Sequence, residues 1–136
     1  TLDRSSAASD VYKRQADASV DVATVAFGVR NFGDLGAGLR ELARTIKPGG
    51  KVVILEFSRP RNRVFRALYE FYSYKILPRI GGLVSRDKRA YEYLPASVGE
   101  FPAPEEFMAM MARAGFRNCR ARSQSFGIAQ IYIGER

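Results

Sequence analysis

Arg44 to Ser58 reads RTIKPGGKVVILEFS, and its order of apolar and turn-forming residues decides the fold. The tail of a helix runs into a Lys-Pro-Gly-Gly turn, and an apolar run then ends on Glu56 and Ser58. Upstream, Asp21 to Phe27 (DVATVAF) is a second apolar, β-branched run, followed by Gly28-Val29-Arg30-Asn31. Between the two runs Leu35, Leu39, Leu42, Ala43 and Ile46 recur at helical spacing. The unit is therefore strand–helix–strand, and near-continuous hydrophobic strands of this kind are expected to be buried on both faces. Asp34 can cap the helix start, and Gly49 and Gly50 are expected to end it. In open parallel sheets ligands bind beyond the carboxyl ends of the strands. Residues 27–31 and 56–58 are therefore the first places to look for chemistry.

Working outward, Asn62 to Leu77 reads as a helix with Phe65, Leu68, Tyr69, Tyr72 and Ile76 on one face. Pro78 and Gly81-Gly82 are expected to break it. Ala90 to Val98 reads as a short helix interrupted by Pro95. Pro104 marks another helix start, with Glu105 and Glu106 in the first turn where the macrodipole favours anions. Phe107, Met110, Met111 and Ala114 make its core stripe, and Gly115 ends it. Two last strands, near Arg117 to Ser125 and Ile128 to Ile133, meet at Phe126-Gly127 as a hairpin. The fold class is α/β, a parallel sheet finished by an antiparallel hairpin.

Composition narrows the chemistry. The 136 residues are 46% hydrophobic and 12% aromatic, enough for one globular domain with a real core. A single cysteine, Cys119, excludes an internal disulfide. There is no histidine, which removes the usual general base and the commonest zinc ligand. No metal site is expected. The net charge of +8 is concentrated between Arg59 and Arg89, where nine basic residues face only Glu70 and Asp87. That stretch also carries Phe65, Tyr69, Phe71, Tyr72, Tyr74 and Ile76. Such a segment suits an anionic membrane surface or a nucleic acid, or is simply a solvated face above a packed one. No zinc spacing, helix-turn-helix or aromatic RNA-binding motif favours the nucleic acid, which is not expected as a partner.

Thr1 to Gln15, TLDRSSAASDVYKRQ, is polar and has no sustained period. It reads as a non-native or disordered leader, and residues 16–136 as one unit. From about Asp17 onward the chain resembles the ubiquinone/menaquinone biosynthesis C-methyltransferases. The resemblance is carried by FGVRN at residues 27–31, RTIKPGGKVVILEFS at 44–58, YSYKILPRIGGLVS at 72–85, YEYLPASV at 91–98 and AGF at 114–116. KPGG alone is a weak signal, because many methyltransferases carry something like it. FGVRN, LEFS and LPRIGGLVS in that order are strong together.

The resemblance implies a Rossmann-like, class I methyltransferase fold, of which this chain is the carboxyl-terminal part of a seven-stranded sheet. It implies S-adenosyl-L-methionine as cofactor and C-methylation of a polyprenylated quinol. No glycine-rich cofactor loop of that family occurs before Asp17, so the chain alone is expected to be inactive. Ala26, Phe27 and Gly28 would lie beside the cofactor. Arg30 and Asn31 would lie beside the substrate, with Arg30 orienting a water and stabilising a phenolate-like oxygen and Asn31 as its hydrogen-bonding partner, since a guanidinium does not readily lose its proton. The competing reading is that Arg30 only pairs with Glu56; Glu56 and Ser58 would then order the strand end. Tyr69, Tyr72, Ile76, Tyr91 and Tyr93 would form an apolar lid over ring and prenyl tail, or else belong to a core. A cytoplasmic protein peripheral to the inner membrane, alone, as a homodimer or in a quinone-biosynthesis complex, is the implied setting. FGIAQIYIGE at residues 126–135 leans toward the menaquinone branch. The alternative is a class I methyltransferase for another small molecule or RNA, although such RNA enzymes more often carry a proline-aromatic motif where this chain has FGVRN.

Overall fold

The computed structural model describes residues 15–60, 62–84 and 101–136; the leader before residue 15 and the short helix expected at 90–98 lie outside the described residues. Strand β1 (Val20–Ala26) leads through a 3₁₀ turn (Val29–Asn31) to helix α1 (Leu35–Thr45) and strand β2 (Ile46–Phe57). Helix α2 (Arg63–Phe71), a π turn (Tyr72–Ile76) and helix α3 (Leu77–Val84) follow without interruption. Helix α4 (Pro104–Arg113), β3 (Arg117–Gln124), a second 3₁₀ turn (Ser125–Gly127) and β4 (Ala129–Glu135) complete the order. The sheet runs β1-β2-β4-β3. β1 and β2 are parallel, and β4 is antiparallel to both β2 and β3. The strand–helix–strand unit and the terminal hairpin are thus both present.

Register places Val25, Ile54, Tyr132 and Ala121 in one row across the sheet. On that face α1 contributes Leu39, Leu42 and Ala43, and α4 contributes Phe107 and Met111, to one core with Val52, Ile54 and Tyr132. Phe107 meets Tyr132 edge-on at 4.5 Å between ring centroids. Asp34 caps α1, its Oδ1 accepting from the Ala37 N–H at 2.9 Å. A Cβ at Gly38 would run into the ring of Phe32, so that glycine lets the buried ring lie flush on the helix.

Three expectations are corrected. First, α1 ends at Thr45, and Lys47 to Gly50 lies inside β2 as a bulge, with Val20 opposite Ile46 and Val22 opposite Lys51. The segment joins three strands rather than ending a helix. Gly49 (φ +85°) donates its N–H to Arg136 O, the Arg136 N–H donates to Gly50 O, and a Cβ on Gly50 would sit 2.5 Å from Asp21 O. Second, β1 is not buried on both faces. Val20, Ala23 and Val25 pack against the core, while Val22, Thr24 and Ala26 are exposed, because the helices that contribute to the core, α1 and α4, cover only the other face. Third, Pro78 and Gly81-Gly82 do not break the helix. The π turn precedes Pro78, with the Leu77 N–H reaching back to Tyr72 O, and a widened turn relieves the clash that a proline ring makes in a regular helix.

Candidate active site at the carboxyl ends of the parallel strands

At the carboxyl end of β1 the chain reverses sharply. Phe27 takes a left-handed conformation (φ +56°), uncommon for a residue with a bulky side chain. Its N–H still bonds Leu55 O at 2.8 Å, so the reversal begins immediately past the parallel ladder. The Phe27 ring remains 37% exposed and stacks on Phe57, at the end of β2, with centroids 4.4 Å apart. Ala26 is exposed and Gly28 half-buried beside it.

The 3₁₀ turn then brings Arg30 over the end of β2. Arg30 Nη1 donates to Glu56 Oε1 at 2.9 Å and to Phe27 O at 2.5 Å, and the Arg30 backbone N–H donates to Glu56 Oε2 at 3.1 Å. The Phe57 N–H adds a fourth contact, to Glu56 Oε1 at 3.0 Å. The Arg30 side chain is 12% exposed and that of Glu56 fully buried. A buried carboxylate needs compensation of this density, since an isolated charge in the interior is strongly disfavoured. The guanidinium lies 5.6 Å from the centre of the Phe57 ring, within range of a cation–π contact. Arg30 Nε is buried without a hydrogen-bond partner among the described residues. The Arg30–Glu56 pair weighed from sequence therefore forms, and it fixes the guanidinium in place. Asn31 closes the turn, its N–H bonding Gly28 O at 3.1 Å.

Ser58 orders the strand end as expected. Its Oγ donates to Gly127 O at 2.6 Å and its N–H to Ile128 O at 2.7 Å, tying β2 to the hairpin tip. Beyond lies a cleft of about 520 Å³, walled by Phe57, Ser58, Arg59, Arg66, Phe101 and Glu105 among others. Phe101 and Arg66 were not singled out from sequence; no local motif marks them, and only the tertiary fold brings them to the strand end. Of the lid residues, Tyr69 and Ile76 are half-buried and Tyr72 exposed on the α2–α3 arm, while Tyr91 and Tyr93 lie outside the described residues. The arm meets the hairpin tip through Phe65, which stacks on Phe126 at 5.1 Å. That tip lies at the carboxyl end of β2, since Ala129 pairs with Phe57. Burial pushes the Tyr69 phenol up, partly offset by its hydrogen bond with Ser73, so Tyr69 is a poor base. Burial likewise pushes the Cys119 thiol up, away from the thiolate a nucleophile requires. Among the described residues no group of three or more acidic or cysteine side chains could hold a metal.

A mixed sheet with this order, its site at the carboxyl edge, has the Rossmann-like architecture of class I S-adenosylmethionine-dependent methyltransferases. A methyltransferase from Aquifex aeolicus dependent on that cofactor superposes with TM-score 0.55 at 17% identity, over 90% of this chain and 50% of that one. Human N-acetylserotonin methyltransferase, solved with S-adenosylmethionine, gives 0.54 at 15% identity, over 92% and 32%. These likenesses concern the fold. The ubiE/COQ5 methyltransferase family matches residues 6–136, and the chain belongs to it. The ubiquinone/menaquinone biosynthesis C-methyltransferase UbiE of Geobacter sulfurreducens is 55% identical over 120 residues, 88% of this chain and 46% of the relative. Demethylmenaquinone methyltransferase of Thermus thermophilus is 48% identical over 120 residues, 88% of this chain and 54% of the relative. The chain spans about half the length of the curated relatives it matches.

Proposed function

We propose that this chain supplies the carboxyl-terminal part of an enzyme that C-methylates a polyprenylated quinol, as the names of its relatives suggest. The observation that carries the reading is Arg30, locked by buried Glu56 beside the exposed face of Phe27 at the carboxyl end of β1. S-adenosyl-L-methionine, when bound, supplies the activated methyl group. The residues present fit one wall of its site: an exposed aromatic face at Phe27, beside exposed Ala26 and half-buried Gly28. Arg30 and Asn31 meet the quinol on the adjoining side. The guanidinium holds a water that takes the proton the quinol loses and passes it to solvent, and it stabilises the oxygen left negatively charged; a preoriented donor acts without reorganisation. Glu56 is a positioning residue, which keeps that donor aimed and compensates its charge in the interior. Tyr69, Tyr72 and Ile76 cover the ring and the start of the prenyl tail and exclude water.

A prenylated substrate dissolves in a bilayer, so the protein meets it at the membrane surface. No helix of the described residues is long and apolar enough to cross a membrane.

The test is a chimera in which this chain replaces the matching segment of the Geobacter sulfurreducens relative. It is assayed for transfer of a labelled methyl group to demethylmenaquinol and to the ubiquinone-pathway benzoquinol. Arg30→Ala also leaves buried Glu56 without its partner and so lowers stability; assayed below its lowered melting temperature, it should still lose turnover by on the order of a hundredfold or more, the usual loss for an oxyanion donor. Arg30→Lys should recover part of it. A well-folded chimera that methylates neither quinol would overturn the reading, and near-normal turnover by Arg30→Ala would remove the role given to Arg30.

A further inference from the structure

We infer that the continuous arm formed by α2, the π turn and α3 is the surface on which the protein lies against an anionic lipid bilayer. The inference rests on the membrane-surface part of the reading above and names the side chains that make the contact. Val64, Leu68, Phe71, Lys75, Arg79 and Leu83 follow one another at intervals of three or four residues, which on a helix is one row. All six are exposed, the apolar four at 67% (Val64), 61% (Leu68), 60% (Phe71) and 85% (Leu83). An amphipathic helix of a globular protein turns its apolar stripe to the core. Here α2 has no buried residue at all. The arm instead rests on a flank, through Phe65 on Phe126 and through half-buried Tyr69.

The chemistry of the row selects the occupant. Apolar side chains enter the boundary between headgroups and acyl chains, while Lys and Arg lay their stems along it and reach back to phosphate. Lys75 and Arg79 share the row with the apolar residues, and neither pairs with a carboxylate among the described residues. The arm's one carboxylate, Glu70, is held by Arg66 at 3.2 Å. The face presented outward is thus apolar and cationic without an opposing acid, complementary to an anionic bilayer. Docked this way, the carboxyl edge of the sheet, to which Phe126 ties the arm, sits close to the membrane from which a prenylated substrate would come.

The test is co-sedimentation of the whole 136-residue chain with phosphatidylcholine vesicles, with and without phosphatidylglycerol. Binding should be strong only with phosphatidylglycerol, since each Lys or Arg near an anionic surface contributes about fivefold. Leu68→Glu/Phe71→Glu should lower that binding at least about tenfold through lost apolar burial, and Lys75→Glu/Arg79→Glu by a similar factor. At such exposed positions, thermal melts followed by circular dichroism should match the parent. Parent binding undiminished by either double variant would overturn the inference while leaving a membrane-bound enzyme intact. Failure of the parent to bind any vesicle would overturn the inference and the membrane-surface reading together. Dimer dissociation in Leu68→Glu/Phe71→Glu by sedimentation velocity, with vesicle binding unchanged, would assign the row to a second copy and overturn the bilayer.

Discussion

Helices α1 and α2 are both amphipathic, yet they use their apolar faces in opposite ways. In α1 the stripe of Leu39, Leu42 and Ala43 is closed against the sheet. In α2 the stripe of Val64, Leu68 and Phe71 is open, each residue 60% exposed or more. An ion pair beside each differs in the same sense: Arg30 stands in the turn before α1 and Glu56 near the end of β2, while Arg66 and Glu70 lie within α2. Arg30–Glu56 joins side chains 12% and 0% exposed, whereas Arg66–Glu70 joins side chains 51% and 39% exposed. Amphipathicity specifies that a helix has an apolar face. What covers that face depends on where the chain carries the helix. α1 is pulled onto the sheet because short connections hold it between two adjacent parallel strands. The arm has no such constraint, and its apolar residues stay open.

The ion pairs give the largest expected contrast. Glu56→Ala strands Arg30 and removes the acceptor for the backbone N–H groups of Arg30 and Phe57. Breaking a buried pair from one side costs roughly 3–5 kcal/mol. Glu70→Ala removes only an exposed i,i+4 partner, worth about 0.3–0.5 kcal/mol. Urea denaturation of the two variants should separate them by most of that range. Equal losses would mean that Arg30 and Glu56 are solvated in solution, and the positioning role of Glu56 would fall with that burial.

How far these regions could be read in advance follows from the range of the forces involved. Local signals were legible: the Asp34 cap, the helical stripe through Leu42, the Pro104 helix start and the hairpin turn at Phe126-Gly127 depend on near neighbours in the chain. So was the carboxyl-edge location of Arg30, because it follows from the strand–helix–strand order, and the Arg30–Glu56 pair was one of two readings weighed. The KPGG segment misled, because its bonds to Arg136 and its tight approach to Asp21 join residues far apart in sequence. Pro78 misled because a π turn absorbs it, a backbone adjustment that composition does not advertise. The exposure of α2 was hidden for a related reason. Periodicity gives the direction of an apolar face but not the presence of a partner, so Tyr69, Tyr72 and Ile76 read equally as lid or as core.

The same comparison can be sharpened with leucines. Leu42→Ala opens a cavity in the core under α1, with an expected cost of about 2–5 kcal/mol. Leu68→Ala trims a side chain already 61% exposed, and such surface changes usually stay within about 0.5 kcal/mol. Thermal unfolding of the two proteins, side by side, checks the difference. A comparable fall in melting temperature for Leu68→Ala would show that the arm is packed in solution, and would count against its assignment as an open docking face.

The smallest effect concerns a half-buried charge at the far end of the sheet from the site. Asn118, left-handed at φ +51° in the β3 bulge, donates its amide to Glu135 Oε2 at 3.0 Å. That hydrogen bond, helped by Lys51, Arg120 and Arg117, holds the Glu135 carboxyl below its usual range. A depressed folded-state value means that the stabilisation is fully present above the unfolded-state pKa of glutamate and is lost as pH falls through the folded value. In Glu135→Gln the charged contribution is missing at every pH. The small gap in urea midpoint between parent and variant at neutral pH should therefore close on acidification below the ordinary glutamate range. A gap that stays constant across that window would mean Asn118 holds Glu135 no more tightly in its charged form than in its neutral one.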